Sequence, residues 1–499
     1  MSESLYIKTI DRPVWPTEDP WPSPDRRFID LLRARHQTLA DKTAIVERDG
    51  SVTYGELWSR VDAMQFSLLA KGVRPGEVVA ICAPNSLLVC TAFLAVMYYG
   101  AVPFIINYKL EALGNLADLN VRHYLVPRGS SAVRRYFNDF EWFEPGEFDA
   151  RFDCYSNPCI PYMPLSDTAL LVTSSGSRGK AKIVRLTDTG TRFNVASNVR
   201  ALDLRADDVT AVILPMGYSY GLVGQFLSHL YVGATVVLLD SVFFFMQITR
   251  FMPHHRVTSI FMAPPLVRQI MYLYDRGLLK INCSSLRMVA VGGNRIESSA
   301  VRKAMTIFNC PIVKTYGLAE AGPRVATNRV TDPAQSTIES VGRPNRGVTI
   351  RILDEQGRDV PTGRPGIICI ESPSVMAGYF NTSQPDDVRP FQSVMTKDIG
   401  YLDHEGHLFI LGRRGDHFQA GGRQHWFREV ESLLYAHFPF LKISLQRQQE
   451  AICISVVAMY DHVISVARVM EVLKGAFGPE AESLFLVELV KTNKMLNDK

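Results

Sequence analysis

The sequence predicts an α/β protein with a large N-terminal domain, a β-rich section within it and a small α+β domain at the C-terminus. Three observations support this fold class. Short apolar runs alternate with segments of helical periodicity up to Gly347, and strands joined by tight turns follow. A charged, glycine-rich stretch at Gly412–Asp416 then separates the last part. With 499 residues the chain has room for two or more domains, which usually contain ~100–200 residues each.

Helices and strands follow one another in the N-terminal part. Leu57–Leu69 spaces its apolar residues as an amphipathic helix does, and Ser86–Tyr99 is predicted to be helical as well. Short runs rich in branched residues predict buried strands. These predicted strands are Glu77–Pro84, Ala101–Asn107, Leu170–Val172, Val209–Pro215, Thr235–Asp240, Ser259–Pro264 and Met288–Gly292.

The last third of the chain divides into two parts. Three predicted strands form the β-rich section, namely Val348–Leu353, Gly366–Glu371 and His407–Leu411. A boundary after Gly412 gives an N-terminal domain of residues 1–412 and a C-terminal domain of residues 413–499. The first ~25 residues are rich in Pro and acidic groups and are predicted to form an irregular arm.

Composition excludes several functional classes. Lys plus Arg is 54 and Asp plus Glu is 50, and a net charge of +4 is too small to favour nucleic acid or an anionic membrane. We find no secretory signal and no apolar stretch of membrane-spanning length. The eight cysteines lack paired spacing, which predicts reduced, buried thiols in a cytoplasmic protein.

A glycine- and serine-rich loop follows the predicted strand Leu170–Val172. Residues 173–182 read TSSGSRGKAK, and their small side chains let backbone N–H groups converge on an anion. The loop also carries three cations, Arg178, Lys180 and Lys182. It is not a Walker A motif, which needs an earlier glycine and a Ser or Thr after its lysine. Taken alone, the pattern is typical either of an anion-binding loop or of a basic surface turn.

Four further motifs follow the loop in order. They are YGLAE at Tyr316–Glu320, TKDIGYLD at Thr396–Asp403, GRRGD at Gly412–Asp416 and QAGGRQHWFREVE at Gln419–Glu431. With the loop, they resemble the adenylate-forming superfamily, which contains acyl-CoA synthetases, adenylation domains of non-ribosomal peptide synthetases, and luciferases. The resemblance extends from about Leu39 to the C-terminus.

This resemblance implies a two-step reaction on a small carboxylic acid. The carboxylate attacks the α-phosphorus of ATP, pyrophosphate leaves, and a nucleophile then takes the acyl group from acyl-AMP. Such chemistry depends on positioning and charge neutralisation more than on covalent help from the protein. ATP and Mg²⁺ are the implied cofactors.

The resemblance also implies site residues at matching positions. The loop positions that would bind the β- and γ-phosphates are Ser174, Ser175, Gly176, Ser177 and Gly179, and Lys182 matches the lysine of the loop. Glu320 matches the magnesium-binding glutamate, and a lone carboxylate with phosphate oxygens suits this ion. The positions around adenine, ribose and phosphate are Gly292, Gly293, Asn294, Tyr316, Gly317, Asp398 and Arg413.

Two features of the C-terminal domain are implied in the same way. The hinge on which this domain would rotate falls on Gly415, with Asp416 as the alternative. The late catalytic lysine, which would bridge the α-phosphate and the carboxylate, falls on Lys494, with Lys491 in reserve.

The segment 214–221, LPMGYSYG, stands where many family members have PLxHxxG, and the resemblance implies that it lines the acyl pocket with Tyr218, Tyr220 and Gly221. Relatives that activate amino acids carry an Asp near the position of Tyr220. Residues 217–234 contain no carboxylate, and an unpaired ammonium in an apolar pocket would be costly. The substrate is therefore predicted to be an aromatic or apolar acid.

The acceptor of the acyl group is left open. The chain ends soon after Lys494, so we expect no fused carrier domain, and CoA or the phosphopantetheine of a free carrier protein is the family's common choice. An amine or amino acid is the alternative, as in ligases of the coronafacate type. Ala319, where the family usually has Thr or Ser, and the shortened motif around Lys494 support a second alternative, a catalytically weak adenylate-binding protein.

Overall fold

The computed structural model describes residues 6–9, 26–106, 119–128, 144–147, 151–174, 182–239, 244–380, 392–438, 441–448, 451–458 and 464–490. It confirms the α/β class, with large sheets, packed helices and a smaller C-terminal part. Within these residues, no helix combines the length and apolar composition that crossing a bilayer requires.

Both predicted helices, Leu57–Leu69 and Ser86–Tyr99, are present among the helices of the described residues, within three residues at their ends. In chain order the helices are α1 (Phe28–His36), α2 (Tyr54–Ala70), α3 (Leu87–Tyr99), α4 (Asp188–Leu202), α5 (Ser219–Gly221), α6 (Ser228–Val232), α7 (Phe244–His254), α8 (Pro264–Asp275), α9 (Ser298–Phe308), α10 (Phe427–His437), α11 (Val466–Phe477) and α12 (Ala481–Leu484). A π-helical segment, Leu222–Leu227, joins α5 to α6, and Gln37–Leu39 and Ala319–Ala321 form 3₁₀ turns.

Strands of the described residues account for each predicted strand, within a few residues at the ends. The first ten are β1 (Tyr6–Thr9), β2 (Thr43–Glu47), β3 (Gly50–Thr53), β4 (Val78–Cys82), β5 (Val102–Ile106), β6 (His123–Pro127), β7 (Glu144–Glu147), β8 (Phe152–Ser156), β9 (Leu170–Thr173) and β10 (Ile183–Leu186). The next ten are β11 (Val209–Val212), β12 (Thr235–Leu238), β13 (Ser259–Met262), β14 (Met288–Val291), β15 (Ile312–Gly317), β16 (Arg324–Val330), β17 (Arg343–Pro344), β18 (Thr349–Leu353), β19 (Gly366–Ser372) and β20 (Gly378–Tyr379). The last seven are β21 (Gln392–Leu402), β22 (Leu408–Arg413), β23 (His417–Ala420), β24 (Arg423–Trp426), β25 (Leu441–Gln448), β26 (Ala451–Ala458) and β27 (Phe485–Leu489).

These strands form three large sheets and two small ones. The first sheet has the order β20-β10-β9-β5-β4-β6-β8-β7, and the second has the order β17-β16-β15-β14-β13-β11-β12-β2-β3. The third sheet has the order β1-β21-β19-β18, with β22 paired to β21. Strands β11 to β15 of the second sheet are paired in parallel, and β15 then turns back as the antiparallel neighbour β16.

Local sequence explains why the core helices lie where they do. Thr53 and Glu56 form a capping box at the start of α2, each side chain accepting from the other's backbone N–H. In α3, nine of thirteen residues are buried, so this helix packs on all sides and needs no polar face. Gly100 ends α3 at φ +92°, a conformation that glycine adopts without strain, and β5 follows.

Two predictions are wrong in part. The N-terminal arm is not irregular throughout, because Tyr6–Thr9 pairs antiparallel with β21, Tyr6 opposite Met395. No local pattern marks this strand, since its partner comes from the far end of the domain. The thiols are free and six of the eight are buried, but Cys159 is exposed.

The small sheets and their helices have a core of their own. It contains aliphatic and aromatic residues from Phe418 to Val487, and it is separate from the cores of the large sheets. Arg295, before α9, donates to the backbone oxygen of Arg428 at 3.3 Å and to Ser432 Oγ at 2.8 Å. The guanidinium of Arg268 lies 3.7 Å from the ring centroid of Tyr435. The domain boundary after Gly412 and the hinge at Gly415 stay predictions.

A partly buried carboxyl lies in this contact. Glu431, on α10, faces Glu297, Arg268, Arg295 and Asp416, and burial with the nearby Glu297 charge raises its pKa from 4.5 to about 7. Between pH 4.5 and about pH 7, the Glu431 carboxyl is largely protonated in the folded state and largely ionised in the unfolded state. The stability contributed by this group is therefore present at low pH and is lost as pH rises towards about 7.

Replacing Glu431 by Gln keeps the shape and removes the titration. Relative to wild type, Glu431→Gln should gain roughly 1–2 kcal/mol in free energy of unfolding between about pH 5 and about pH 8, less than the full shift implies because Glu431 is only partly buried. Urea unfolding at both pH values measures this gain. Glu471→Gln, an exposed residue of α11 paired with Arg468, is the control. A difference between Glu431→Gln and wild type that stays constant with pH would contradict the assignment.

Candidate active site

Predicted site residues lie at the carboxyl ends of strands from two sheets. Ser174 follows β9 of the first sheet, while Gly292 follows β14 and Gly317 ends β15 of the second. In α/β folds this edge is where ligands bind, because backbone groups that end the strands are free to meet them. The structure therefore brings together segments that are far apart in sequence.

The predicted phosphate loop joins two antiparallel strands, β9 and β10. Its ends are closed by Ser174, whose N–H donates to the backbone oxygen of Lys182 at 2.8 Å and whose hydroxyl accepts from the Lys182 N–H at 3.3 Å. Four predicted phosphate contacts, at Ser175, Gly176, Ser177 and Gly179, lie outside the described residues. What the structure does fix is the base of the loop.

Three side chains are linked by successive contacts, from Lys182 to Tyr379 and from Tyr379 to Glu320. The ammonium of Lys182 lies 4.7 Å from the centroid of the Tyr379 ring, and the Tyr379 hydroxyl donates to Glu320 Oε1 at 3.0 Å. The backbone oxygen of Glu320 accepts from Met376 N–H at 2.9 Å. Glu320 is buried, so its hydrogen bond to Tyr379 compensates part of the cost of removing a carboxylate from water.

The loop before α5 lies against the base of the phosphate loop. Both the N–H and the hydroxyl of Thr173 donate to the Gly217 backbone oxygen at 3.0 Å, and Thr173 and Tyr218 form a parallel bridge. Tyr218 is 39% exposed, so its ring is accessible beside this bridge. Its role at the acyl pocket stays a prediction.

Tyr316, Asp398 and Arg413 form a second cluster. The Tyr316 hydroxyl donates to Asp398 Oδ2 at 2.7 Å, and Arg413 Nε lies 3.5 Å from Asp398 Oδ1. Asp398 and Arg413 are register partners in β21 and β22. Burial and the Asp398 charge raise the pKa of Tyr316, so its hydroxyl stays protonated and donates. The two carboxylate oxygens are acceptors only, which suits a pair of ligand hydroxyls.

Close packing explains two of the predicted glycines. A Cβ at Gly292 would lie 2.1 Å from Thr315 Oγ1 and 3.0 Å from Tyr220 Cζ. A Cβ at Gly317 would lie 1.7 Å from the Pro323 backbone oxygen. Neither position tolerates a side chain. Gly293 has φ +80°, and the next residue, Asn294, is exposed and accepts from the Arg295 N–H at 2.8 Å.

The predicted acyl side contains an unexpected cation. Gly221 is packed on backbone, since a Cβ there would lie 2.8 Å from the Pro215 oxygen. Tyr220 and Phe261 have ring centroids 5.7 Å apart, and the Arg324 guanidinium carbon lies 5.5 Å from the first centroid and 5.4 Å from the second. Burial raises the pKa of Tyr220.

Three residues that contact predicted site residues were not predicted. They are Tyr379, Thr315 and Arg324. Thr315 and Arg324 lie close to the YGLAE motif in sequence, so their position beside a predicted site motif could have identified them. Tyr379 had no such signal, because only the pairing of β20 with β10 brings it to Glu320. The predicted Lys494 and its reserve Lys491 lie outside the described residues.

The residues present fit a magnesium ion held mainly by substrate. The described part of the chain contains no cluster of three or more His, Cys, Asp or Glu that would form a complete protein cage. Glu320 is a single buried carboxylate with one oxygen accepting from Tyr379 and its other oxygen available. Mg²⁺ is commonly bound by one or two carboxylates together with substrate phosphates.

The sequence matches the family model described as AMP-binding enzyme over residues 32–380. The chain belongs to this family. As its motifs predict, this AMP-binding enzyme is an ATP-dependent, AMP-forming carboxylic acid ligase of the adenylate-forming superfamily.

Individual relatives of this AMP-binding enzyme are distant. The 2-succinylbenzoate–CoA ligase of Bacillus subtilis (strain 168) is 27% identical over 412 residues, covering 81% of this chain and 82% of the relative. The solved O-succinylbenzoate coenzyme A synthetase of Bacillus subtilis, in complex with ATP and magnesium ion, has a TM-score of 0.73 at 23% identity, covering 92% of this chain and 95% of that one. The amide bond synthetase McbA of Marinactinospora thermotolerans has a TM-score of 0.70 at 22% identity, covering 93% and 95%. These two structural likenesses show a shared fold.

Replacing Tyr379 by Phe keeps the ring and removes only the hydroxyl, which donates to Glu320. Because a hydrogen bond to a buried charge is lost, we expect kcat/KM for adenylation to fall about 10-fold and half-saturation by Mg²⁺ to move to higher concentration. Tyr401→Phe is the matched control, since that ring stacks on Phe409 with centroids 5.0 Å apart, away from Glu320. An unchanged magnesium dependence in Tyr379→Phe would contradict the role of Glu320.

Proposed function

We propose that this enzyme activates an aromatic or apolar carboxylic acid to acyl-AMP, with release of pyrophosphate, and transfers the acyl group to CoA. The observation that carries this proposal is the convergence of two clusters at one edge of the sheets. Lys182, Tyr379 and Glu320 form one cluster, and the other joins Tyr316 to Asp398. Cations and a lone carboxylate suit a triphosphate with its metal, and acceptor-only oxygens suit a ribose.

The phosphate side of the site has charges of both signs. Lys182 would neutralise phosphate charge at the base of its loop, and Ser174 would fix the loop ends. Glu320 would hold Mg²⁺, with Tyr379 orienting the carboxylate. When bound, the ion would stabilise negative charge on the phosphates.

Nucleoside recognition is assigned to the second cluster. Asp398 would accept hydrogen bonds from the ribose hydroxyls, while Tyr316 fixes one of its oxygens and Arg413 balances its charge. Gly292 would let a flat base approach the end of β14, where any larger residue would collide with Thr315.

CoA is the acceptor that the relatives favour. The Bacillus subtilis relative, at 27% identity over most of both chains, acts on CoA by its name. A carrier-protein thiol would use the same chemistry. Transfer to an amine is the alternative, and the likeness to an amide bond synthetase supports it only at the level of fold.

Acid-dependent ATP–pyrophosphate exchange tests the first step. Across a panel of aryl and alkyl acids, we expect exchange with a subset of the apolar ones and none with α-amino acids. Adding CoA, a carrier protein or simple amines to the active acids should give the thioester in preference to the amide. Absence of exchange with every acid, in folded protein, would contradict the proposal and favour an adenylate-binding protein without full activity.

The late lysine has its own test. Lys494→Ala should reduce exchange about 100-fold or more, because a charge that stabilises the transition state at the α-phosphate is lost. Lys491→Ala, a neighbouring lysine, should change it little and serves as the control. If Lys491→Ala has the large effect instead, the catalytic lysine is Lys491.

A further inference from the structure

Arg324 is a buried cation for which the described residues supply no anionic partner. It begins β16, and only 2% of its surface is exposed. Within the described residues, no acceptor makes a hydrogen bond with its Nε, Nη1 or Nη2 atoms. Its guanidinium instead lies beside the rings of Tyr220 and Phe261. Burial lowers the pKa of Arg324 to about 10, so the group still carries its charge at neutral pH.

Such an arrangement is costly and therefore uncommon. A guanidinium has five N–H donors and no acceptor, and a buried charge is ordinarily paired and hydrogen-bonded. Contact with the aromatic faces recovers part of the lost hydration. It does not satisfy the N–H donors, which point to an acceptor outside the described chain.

A second donor lies beside this cation. The Tyr220 hydroxyl is buried and makes no hydrogen bond of normal geometry within the described residues, although Arg324 and Thr315 are both close enough to oppose the rise that burial causes in its pKa. The Arg324 guanidinium and the neighbouring Tyr220 hydroxyl, which can donate as well as accept, match a carboxylate, whose two oxygens accept several hydrogen bonds and bind Arg in a bidentate manner.

The pair faces the predicted acyl side of the site. Gly317, at the end of β15, is the register partner of Arg324. Gly224 packs closely on the pair from the helical side, since a Cβ there would lie 3.2 Å from Tyr220 Cδ2 and 3.6 Å from Arg324 Nη2. Tyr220 in turn reaches Gly292, at the predicted adenine position. Arg324 and Tyr220 therefore lie beside the predicted site residues Gly317 and Gly292.

We propose that Arg324 and Tyr220 form a subsite for a second carboxylate of the acid substrate. The preferred substrate is then a dicarboxylic acid with an apolar or aromatic body, which is adenylated at one end and held at the other. This inference rests on the proposed function for the identity of the pocket. It narrows the substrate class from an apolar acid to one with an anionic far end.

Matched pairs of acids test the subsite. Terephthalate is compared with 4-methylbenzoate, and dicarboxylic alkyl acids of increasing length are compared with monocarboxylic acids of equal length. Both ATP–pyrophosphate exchange and calorimetric binding without ATP are measured. Wild-type protein should prefer the dicarboxylate about 10-fold or more in at least one pair.

Three variants locate the preference. Arg324→Met keeps the approximate side-chain volume and should reverse the preference, so that the monocarboxylate is favoured. Arg324→Lys should still prefer the dicarboxylate, but by a smaller ratio, because bidentate geometry is lost. Arg329→Met, on the same strand but away from the Tyr220 ring, should leave the ratio unchanged.

Each result decides the question. A wild-type protein that binds the monocarboxylate of every pair equally well or better overturns the subsite, as does an Arg324→Met protein that keeps the dicarboxylate preference. If Arg324→Met does not fold, the wild-type ratios and Arg324→Lys carry the decision. A binding preference without any exchange supports the subsite and contradicts the proposed adenylation, so the two failures are distinguishable.

Discussion

The return of the chain from β15 to β16 depends on two positions where no side chain fits. At Gly317 a Cβ would collide with the Pro323 backbone oxygen at 1.7 Å. At Gly322 the backbone has φ +94°, and a Cβ would lie 2.6 Å from Ser374 Cβ. This tight return fixes Glu320 in its middle and Arg324 at its end. The metal-binding and acyl-recognising roles proposed for these residues therefore share one backbone constraint.

Contacts around this return join the three large sheets. The Glu320 backbone accepts from Met376, in the segment that leaves the third sheet, and its side chain accepts from Tyr379, on a strand of the first sheet. Lys182, at the base of the phosphate loop, lies over the same Tyr379 ring. A shift of the return would move all of these groups together, which is why preorganisation here matters more than any single contact.

Local sequence predicts much of the fold and part of the site. Helix α2 has amphipathic periodicity, and both α2 and α3 have capping residues next to their first residues, so their bounds follow from local patterns. Strand β1 and the contact of Tyr379 with Glu320 depend on partners distant in sequence, and no local pattern specifies them. Arg324 was missed for another reason, because an Arg beside a motif looks like surface until its burial is known.

Tracing the carboxylate oxygen tests the central claim most directly. The acid that supports exchange is labelled with ¹⁸O in its carboxylate and turned over with ATP, Mg²⁺ and the acceptor. If the carboxylate attacks the α-phosphorus and the acceptor then breaks the acyl C–O bond, AMP carries one ¹⁸O and pyrophosphate carries none. Label in inorganic phosphate, with ADP as the nucleotide product, would mean activation through an acyl phosphate and would contradict adenylation.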